Sequence, residues 1–192
     1  QALSPAMAAF REQHPKVQYQ LYTNHAEHVK ERLEQGLLDF GLLLEPVDVS
    51  KFDYLRMGAR ETWGLLMRSD HPLARKPHIV REDLVPLITS DRRSIQRELE
   101  TWLGMAFSQL NLFATYNIIT NVATLVHEGV AVALTIEGAV SLLEGDRLVF
   151  RPLYPELSMT SVLAWKKFPA HSRAASQFLE QVKRMQISYS FP

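Results

Sequence analysis

Two short apolar runs, each preceded by a segment with helical periodicity, limit the possible folds more than any other feature of the sequence. The first run, LLL at 42–44, stands between Asp39 and the pair Glu45-Pro46. The second run, VAVAL, occupies residues 130–134. Both are far shorter than the ~18 apolar residues that span a bilayer, and neither alternates like a half-exposed strand. Continuous apolar strands are typical of parallel sheets that helices cover on both faces. We therefore predict that 39–44 and 130–134 are buried parallel strands.

The order of the other predicted elements favours an α/β fold. Segments with helical spacing alternate with segments of strand formers, which is the pattern of a parallel sheet with crossover helices. Ser4 is expected to cap the first helix, with Pro5 at its first position, and Asn24 to cap the second. The charged segment 69–84 is expected to contain short helical turns at a domain boundary. Helices are predicted at 4–14, 26–36, 95–103, 118–129 and 172–185, and further strands at 17–22, 54–60, 62–68, 86–89, 112–115, 148–150 and 161–165.

The predicted elements form two α/β units of similar plan. The late strand and the final helix are left over, and we expect them to return to the first unit. One unit would then contain residues 1–68 and 162–192, and the other residues 69–161, with crossing strands between them. Two lobes joined in this way would hold a ligand between them.

The composition removes several classes of site. The 192 residues include no cysteine, which excludes disulfides, thiolate zinc sites and cysteine nucleophiles and fits a reducing compartment. With 21 basic and 21 acidic residues, the formal net charge is zero, so this chain is not expected to bind DNA by itself.

His25 and His28 could contribute two metal ligands, but a metal site needs more ligands than these two. The motifs of serine hydrolases, zinc proteases and nucleotide-binding loops are absent. We expect no metal, no cofactor, no membrane contact and no enzymatic activity.

Polar residues lie where predicted strands end, which is where open α/β sheets bind ligands. Hydroxyl groups there, and the free N–H groups of helix starts, suit a small anionic ligand. The alternative for these residues is turn and helix-cap chemistry alone, and for Glu45 it is contact with water. The candidate ligand-binding residues are Ser4, Asn24, His25, Glu45, Thr89, Ser90, Thr115, Asn117, Thr135 and Ile136.

Trp165 stands on the predicted return strand, next to Lys166 and Lys167. We expect it to pack at the hinge between the lobes. The alternative is that its ring stacks on a ligand.

Three stretches of the sequence resemble the effector-binding (regulatory) domain of LysR-type transcriptional regulators. They are LSPAMAAFREQHPKVQYQLYT at 3–23, VKERLEQGLLDFGLLLEP at 29–46 and NVATLVHEGVAVAL at 121–134. The motif DHPLA at 70–74 matches as well. The likeness covers nearly the whole chain and keeps the family's order. Asp39 has a counterpart in the family's signature, although an acid at that position could simply close the turn into the strand.

The resemblance implies two Rossmann-like subdomains with the type 2 fold of periplasmic binding proteins. A small effector would bind between them, with the turn at Asn24 and His25 lining the cleft. The family also forms dimers or tetramers in the cytoplasm and binds DNA through a separate winged helix-turn-helix domain. That domain and the family's first strand would precede Ala2, so we expect this chain to be a piece of a longer protein.

The sequence therefore favours a ligand-sensing regulatory domain for a small, anionic organic effector. Two alternatives belong to other classes. A solute-binding protein of a transporter would share the two-lobed plan but would carry a signal peptide and usually run longer. A small α/β enzyme would convert its ligand, whereas a sensor only binds it.

Overall fold

The computed structural model describes residues 3–141, 143, 147–168 and 171–189, with side chains up to residue 186. The helices are α1 (Ser4–Gln13), α2 (Ala26–Glu34), α3 (Arg93–Leu103), α4 (Thr120–His127), α5 (Glu137–Val140) and α6 (Arg173–Tyr189). The strands are β1 (Gly41–Leu44), β2 (Phe52–Arg68), β3 (Leu87–Ser90), β4 (Leu112–Tyr116), β5 (Val132–Ile136), β6 (Leu148–Pro152) and β7 (Ser158–Lys166). Short 3-10 helices occupy Pro72–Arg75, Arg81–Asp83 and Phe107–Gln109. The first two of these confirm the helical turns predicted in 69–84.

The chain divides into two compact units. Unit 1 consists of Gln1–Arg60 and Thr160–Pro192, and unit 2 of Glu61–Met159. Strands β2 and β7 both pass through a unit boundary. The boundaries that we predicted from the sequence follow residues 68 and 161.

Unit 1 contains a sheet with helices on both faces. Strand β7 pairs antiparallel with β1, from Gly41↔Ala164 to Leu44↔Ser161, and is hydrogen-bonded on its other side to β2. On one face, α1 and α6 bury a cluster with Phe10 and Leu163. On the other, α2 buries Leu33 against Leu43. The helical spacing predicted for α1, α2 and α6 is confirmed by these clusters.

Unit 2 contains a mixed sheet in the order β6-β2-β5-β3-β4. The pairs β3–β4 and β3–β5 are parallel, whereas β2 runs antiparallel to both β5 and β6. A core of Leu66, Ile88, Val126 and Phe150 fills the face covered by α4 and α5. The buried strand predicted at 130–134 is found two residues later as β5, which is parallel to β3 and has its first four residues buried, whereas Val130 is 47% exposed.

The corresponding prediction for 39–44 was wrong. Strand β1 begins at Gly41 and pairs antiparallel with β7, and no described strand pairs with its other edge. Its burial alternates, because Leu43 is 2% exposed whereas Leu42 is 41% exposed. The apolar run is therefore buried by α2 on one face only.

The strand predicted at 17–22 is not formed. Val17 and Tyr19 do pack against the cluster around Phe178, as their alternation suggests, but Leu21 is 79% exposed. No described strand pairs with this segment. Strand formers alone are insufficient, since strand propensity mostly reflects packing against neighbouring strands.

Three local predictions also need correction. Leu3, not Ser4, is the residue before α1, so Ser4 is already helical. His25, not Asn24, precedes α2. Neither Leu3 nor His25 caps its helix with a side-chain hydrogen bond. The strands predicted at 54–60 and 62–68, which only Glu61 separates, are one continuous strand, β2, because no turn forms at that residue. Helix α5 was not predicted, since its four residues are too few to show a periodicity.

Candidate functional site

Three neighbouring parallel strands of unit 2 end at the same edge of its sheet. Strand β3 ends at Ser90, β4 at Tyr116 and β5 at Ile136. The register places Thr89 opposite Thr115 and Ser90 opposite Tyr116. The structure therefore brings together the predicted residues Thr89, Ser90, Thr115, Thr135 and Ile136, with Asn117 directly after β4. We call this edge the unit 2 edge.

Buried hydroxyl groups are concentrated at the unit 2 edge. Thr89 is 0% exposed, Thr135 1% and Ser90 7%. The Ser90 hydroxyl accepts a hydrogen bond from the Arg92 backbone N–H at 3.3 Å, just before α3 begins. Thr115 and Asn117 are exposed, since β4 is the outermost strand. Buried polar groups are normally hydrogen-bonded, so each of these hydroxyls requires a partner.

Tyr116 connects the ends of β4 and β5, although sequence reasoning did not select it. Its hydroxyl donates to the carbonyl oxygen of Leu134 at 3.0 Å and receives a hydrogen bond from the Thr135 side chain. The Tyr116 carbonyl accepts from the Asp91 N–H at 3.1 Å. Burial raises the pKa of Tyr116 from 10.0 to about 12, and the charge of Asp91 adds to this, whereas the Thr135 hydrogen bond lowers it. The phenol thus stays neutral, and it donates to the Leu134 carbonyl while its oxygen accepts from Thr135.

This raised pKa makes the stability of the fold depend on pH. An unfolded Tyr116 loses its proton near pH 10 and the folded one near 12, so a pH rise between those values favours unfolding by about 1.4 kcal/mol per unit. We expect Tyr116→Phe to lose less unfolding free energy than the wild-type protein as the pH rises from 10 to 12, as measured by urea denaturation at several pH values. Tyr54→Phe, at an exposed tyrosine of unit 1, is the control. An unchanged pH dependence in Tyr116→Phe would contradict the prediction.

Two buried polar atoms of unit 2 lack any hydrogen-bond partner among the described residues. They are the Thr89 hydroxyl oxygen and the Trp63 indole nitrogen. Trp63 is 2% exposed and lies on β2 opposite Ile136, the last residue of β5. Sequence reasoning missed it because it stands inside a predicted strand.

Thr89 and Trp63 face the same side of the sheet. Leu66 and Ile88 are both paired with Ala133, so these three side chains point to one face, which is the face with the core of unit 2. Successive residues of a strand point to opposite faces. Thr89 is one residue from Ile88 and Trp63 three residues from Leu66, so both lie on the other face. An unpaired buried polar atom costs about 1–3 kcal/mol, so this face of the unit 2 edge suits a polar group.

The predicted residues of unit 1 have different surroundings. Ser4 is an exposed residue of α1. The Asn24 side chain accepts from the His25 N–H at 2.8 Å, lies 3.2 Å from a ring nitrogen of His28 and donates to the Tyr22 hydroxyl at 2.7 Å. The rings of His25 and His28 are 6.3 Å apart, and the described residues contain no group of three His, Asp or Glu that could hold a metal ion.

Glu45 is engaged within unit 1. Its carboxylate accepts hydrogen bonds from the Thr160 hydroxyl and from Arg56 Nε, the latter at 3.2 Å, and its N–H donates to the Thr160 carbonyl at 2.8 Å. These bonds join the end of β1 to β7 and β2. Asp39, by contrast, has a side chain that is 63% exposed, 3.9 Å from the ring of His171.

Comparison with known proteins identifies the family. The profile of the LysR substrate binding domain matches residues 1–186. The chain belongs to this family. A LysR substrate-binding domain has the α/β, type 2 periplasmic-binding-protein-like fold, so the predicted fold class is confirmed. The match favours the regulator hypothesis over the transporter alternative.

Relatives of this LysR domain are transcriptional regulators by name. The HTH-type transcriptional regulator YvbU of Bacillus subtilis (strain 168) is 26% identical over 182 residues, which cover 93% of this chain and 61% of YvbU. The Hca operon transcriptional activator HcaR of Escherichia coli (strain K12) is 28% identical over 171 residues, which cover 86% of this chain and 57% of HcaR. The chain thus spans less than two thirds of both relatives.

Solved structures show the same fold at low sequence identity. The effector-binding domain of QuiR in complex with shikimate has a TM-score of 0.79 at 13% identity, and the match covers 97% of this chain and 91% of that one. The Synechocystis PCC6803 CcmR regulatory domain in complex with 2-PG has a TM-score of 0.77 at 13% identity, with 96% and 90% covered. Within the part of this LysR domain that the structure describes, no helix is long and apolar enough to span a bilayer.

Proposed function

We propose that this domain senses a small organic effector for a LysR-type transcriptional regulator, and that the unit 2 edge supplies its polar contacts. The observation that carries this proposal is that the buried Thr89 hydroxyl and Trp63 indole N–H have no hydrogen-bond partner among the described residues. An indole N–H can only donate, so an effector that binds it would present an acceptor atom. We therefore expect an acidic organic molecule, whose carboxylate oxygens are hydrogen-bond acceptors.

The family and the complexes of its structural neighbours support a sensor. QuiR and CcmR were each solved with a small molecule, shikimate and 2-PG respectively. A sensor uses its ligand to shift an equilibrium between conformations and leaves it chemically unchanged. In the full-length protein this shift would alter DNA binding by a separate domain, and assembly as a dimer or tetramer would transmit it.

Thr89→Val tests this proposal because it should change stability and binding in opposite directions. Valine keeps the shape of threonine but removes the unpaired hydroxyl, so the free domain should gain about 1 kcal/mol of unfolding free energy. The same change should weaken effector binding. Wild-type protein is screened by thermal shift against small organic acids, beginning with shikimate, where an acid at about 100 times its Kd stabilises by about 2.7 kcal/mol.

The control is Thr124→Val, at an exposed threonine of α4 away from the unit 2 edge. We expect the thermal shift of the hit to be lost in Thr89→Val and retained in Thr124→Val. Trp63→Phe, which removes the other donor, should weaken the same hit. A hit with full affinity for Thr89→Val would overturn the site assignment. Mass spectrometry of the recovered acid separates sensor from enzyme, because conversion of the acid would favour catalysis.

A further inference from the structure

We propose that unit 1 carries a second small-molecule site, which binds an aromatic carboxylate independently of the unit 2 edge. The site is a cavity of about 870 Å³ between the first half of β2, the end of β7 and the last turns of α6. This is within the roughly 300–1,000 Å³ of small-molecule sites in proteins. We call it the β2–α6 pocket. Its lining includes Phe52, Tyr54, Gly58, Trp165, Lys167 and Lys183.

Aromatic side chains form the walls of the β2–α6 pocket. The half-buried Trp165 is held by the unit 1 core and meets Phe40 edge-on, with ring centroids 6.5 Å apart. Tyr54 also lines the pocket, is 46% exposed, and has a hydroxyl without a hydrogen-bond partner among the described residues. Aromatic rings in a pocket wall offer faces on which a planar ligand can stack. Trp165 thus packs against the unit 1 core and also lines the pocket.

Two ammonium groups give the pocket a positive side. Lys183 Nζ lies 6.0 Å from the centroid of the Trp165 ring and 2.9 Å from a carboxylate oxygen of Glu180. Lys167 Nζ donates to the Ser50 carbonyl at 2.7 Å and forms no ion pair with a described carboxylate. Among the described lining residues, Asp53 is the only acid, and it is exposed. The Lys167 charge is therefore available to an anion beside the aromatic walls.

The contacts of Gly58 argue against a peptide strand as the occupant. Strand β2 could in principle accept another strand along this pocket. The Gly58 N–H, however, already donates to the Gln186 side-chain oxygen at 3.0 Å. A planar ring that carries a carboxylate uses both properties of the pocket, since the ring stacks on Trp165 or Tyr54 and the carboxylate pairs with Lys167 and Lys183.

The experiment follows the indole N–H signals of the 192-residue chain by NMR during titration with benzoate. The chain contains three tryptophans, and only Trp165 lines the pocket. Trp102 donates to the Pro155 carbonyl in unit 2 and serves as an internal reference. We expect the Trp165 signal to shift in a saturable way below about 10 mM benzoate, while the Trp102 signal stays in place. Cyclohexanecarboxylate, which has the charge without the planar ring, should bind more weakly.

Variants separate this site from charge effects and from the unit 2 edge. Lys167→Ala with Lys183→Ala should weaken benzoate binding at Trp165 about tenfold, whereas Lys51→Ala, outside the pocket, should not. Thr89→Val should leave the Trp165 titration unchanged, so failure of the unit 2 assignment and failure of this one are distinguishable. A Trp165 signal that does not move, or equal weakening by Lys51→Ala, would overturn the proposal.

Discussion

Gly64→Ala is expected to destabilise the domain by about 3 kcal/mol, because the added methyl group has no space. An ideal Cβ at Gly64 would lie 2.3 Å from the Arg151 carbonyl oxygen and 2.4 Å from Cζ of Phe150. Gly64 is paired with Pro152 of β6 on one side and with Thr135 of β5 on the other. The contact with backbone of β6 cannot be relieved by rotating a side chain, so the ladder between β2 and β6 has to open. Urea denaturation measures the loss.

Gly58→Ala is the matched control in the same strand. The nearest atom to a Cβ there is the side-chain oxygen of Gln186 at 3.4 Å, an ordinary contact with a flexible group. The change should alter stability by less than about 1 kcal/mol, since alanine also restricts the unfolded chain. Equal losses of unfolding free energy in both variants would mean that the replacement of glycine in the strand, and not steric crowding at Gly64, causes the loss. No loss in Gly64→Ala would mean that β6 does not pack against β2 as described.

The elements that the sequence predicts well are those whose signal is local. Helix α3 shows this, because Ile95, Leu99 and Leu103 recur at helical spacing and all are buried. Strands depend on partners that are distant in the chain. The segment 17–22 has good strand formers but no described strand beside it, whereas β2 continues through polar residues because β5, β6 and β7 pair along it. A strand prediction can therefore fail without any error in reading the residues.

Some residues of the candidate site were predicted from the sequence and others were not, for the same reason. Thr89, Ser90 and Thr135 were predicted because polar residues after buried parallel strands must meet at one edge of the sheet. Trp63 and Tyr116 were missed because their importance lies in which atoms surround them. An indole N–H without a partner and a phenol with a raised pKa have no counterpart in residue type or spacing. Large aromatic residues in strands are usually read as core.

Leu43→Ala and Leu42→Ala should differ strongly although the residues are adjacent. Leu43 is 2% exposed and packs with Leu33 and Val162, so truncation should cost about 2–5 kcal/mol of unfolding free energy. Leu42 is 41% exposed on the opposite face of β1, and its truncation should cost less than about 1 kcal/mol. Both variants remove the same atoms from the same strand, which makes each the control of the other in urea denaturation.

The comparison decides how β1 is covered in solution. The sequence alone suggests a run buried on both faces, which predicts similar losses for Leu42→Ala and Leu43→Ala. The structure predicts a large loss at Leu43 only, because α2 covers that face and Leu42 faces solvent. Equal large losses would mean that a further segment covers the Leu42 face of β1. Equal small losses would mean that α2 is not packed on the strand, which would contradict the core of unit 1.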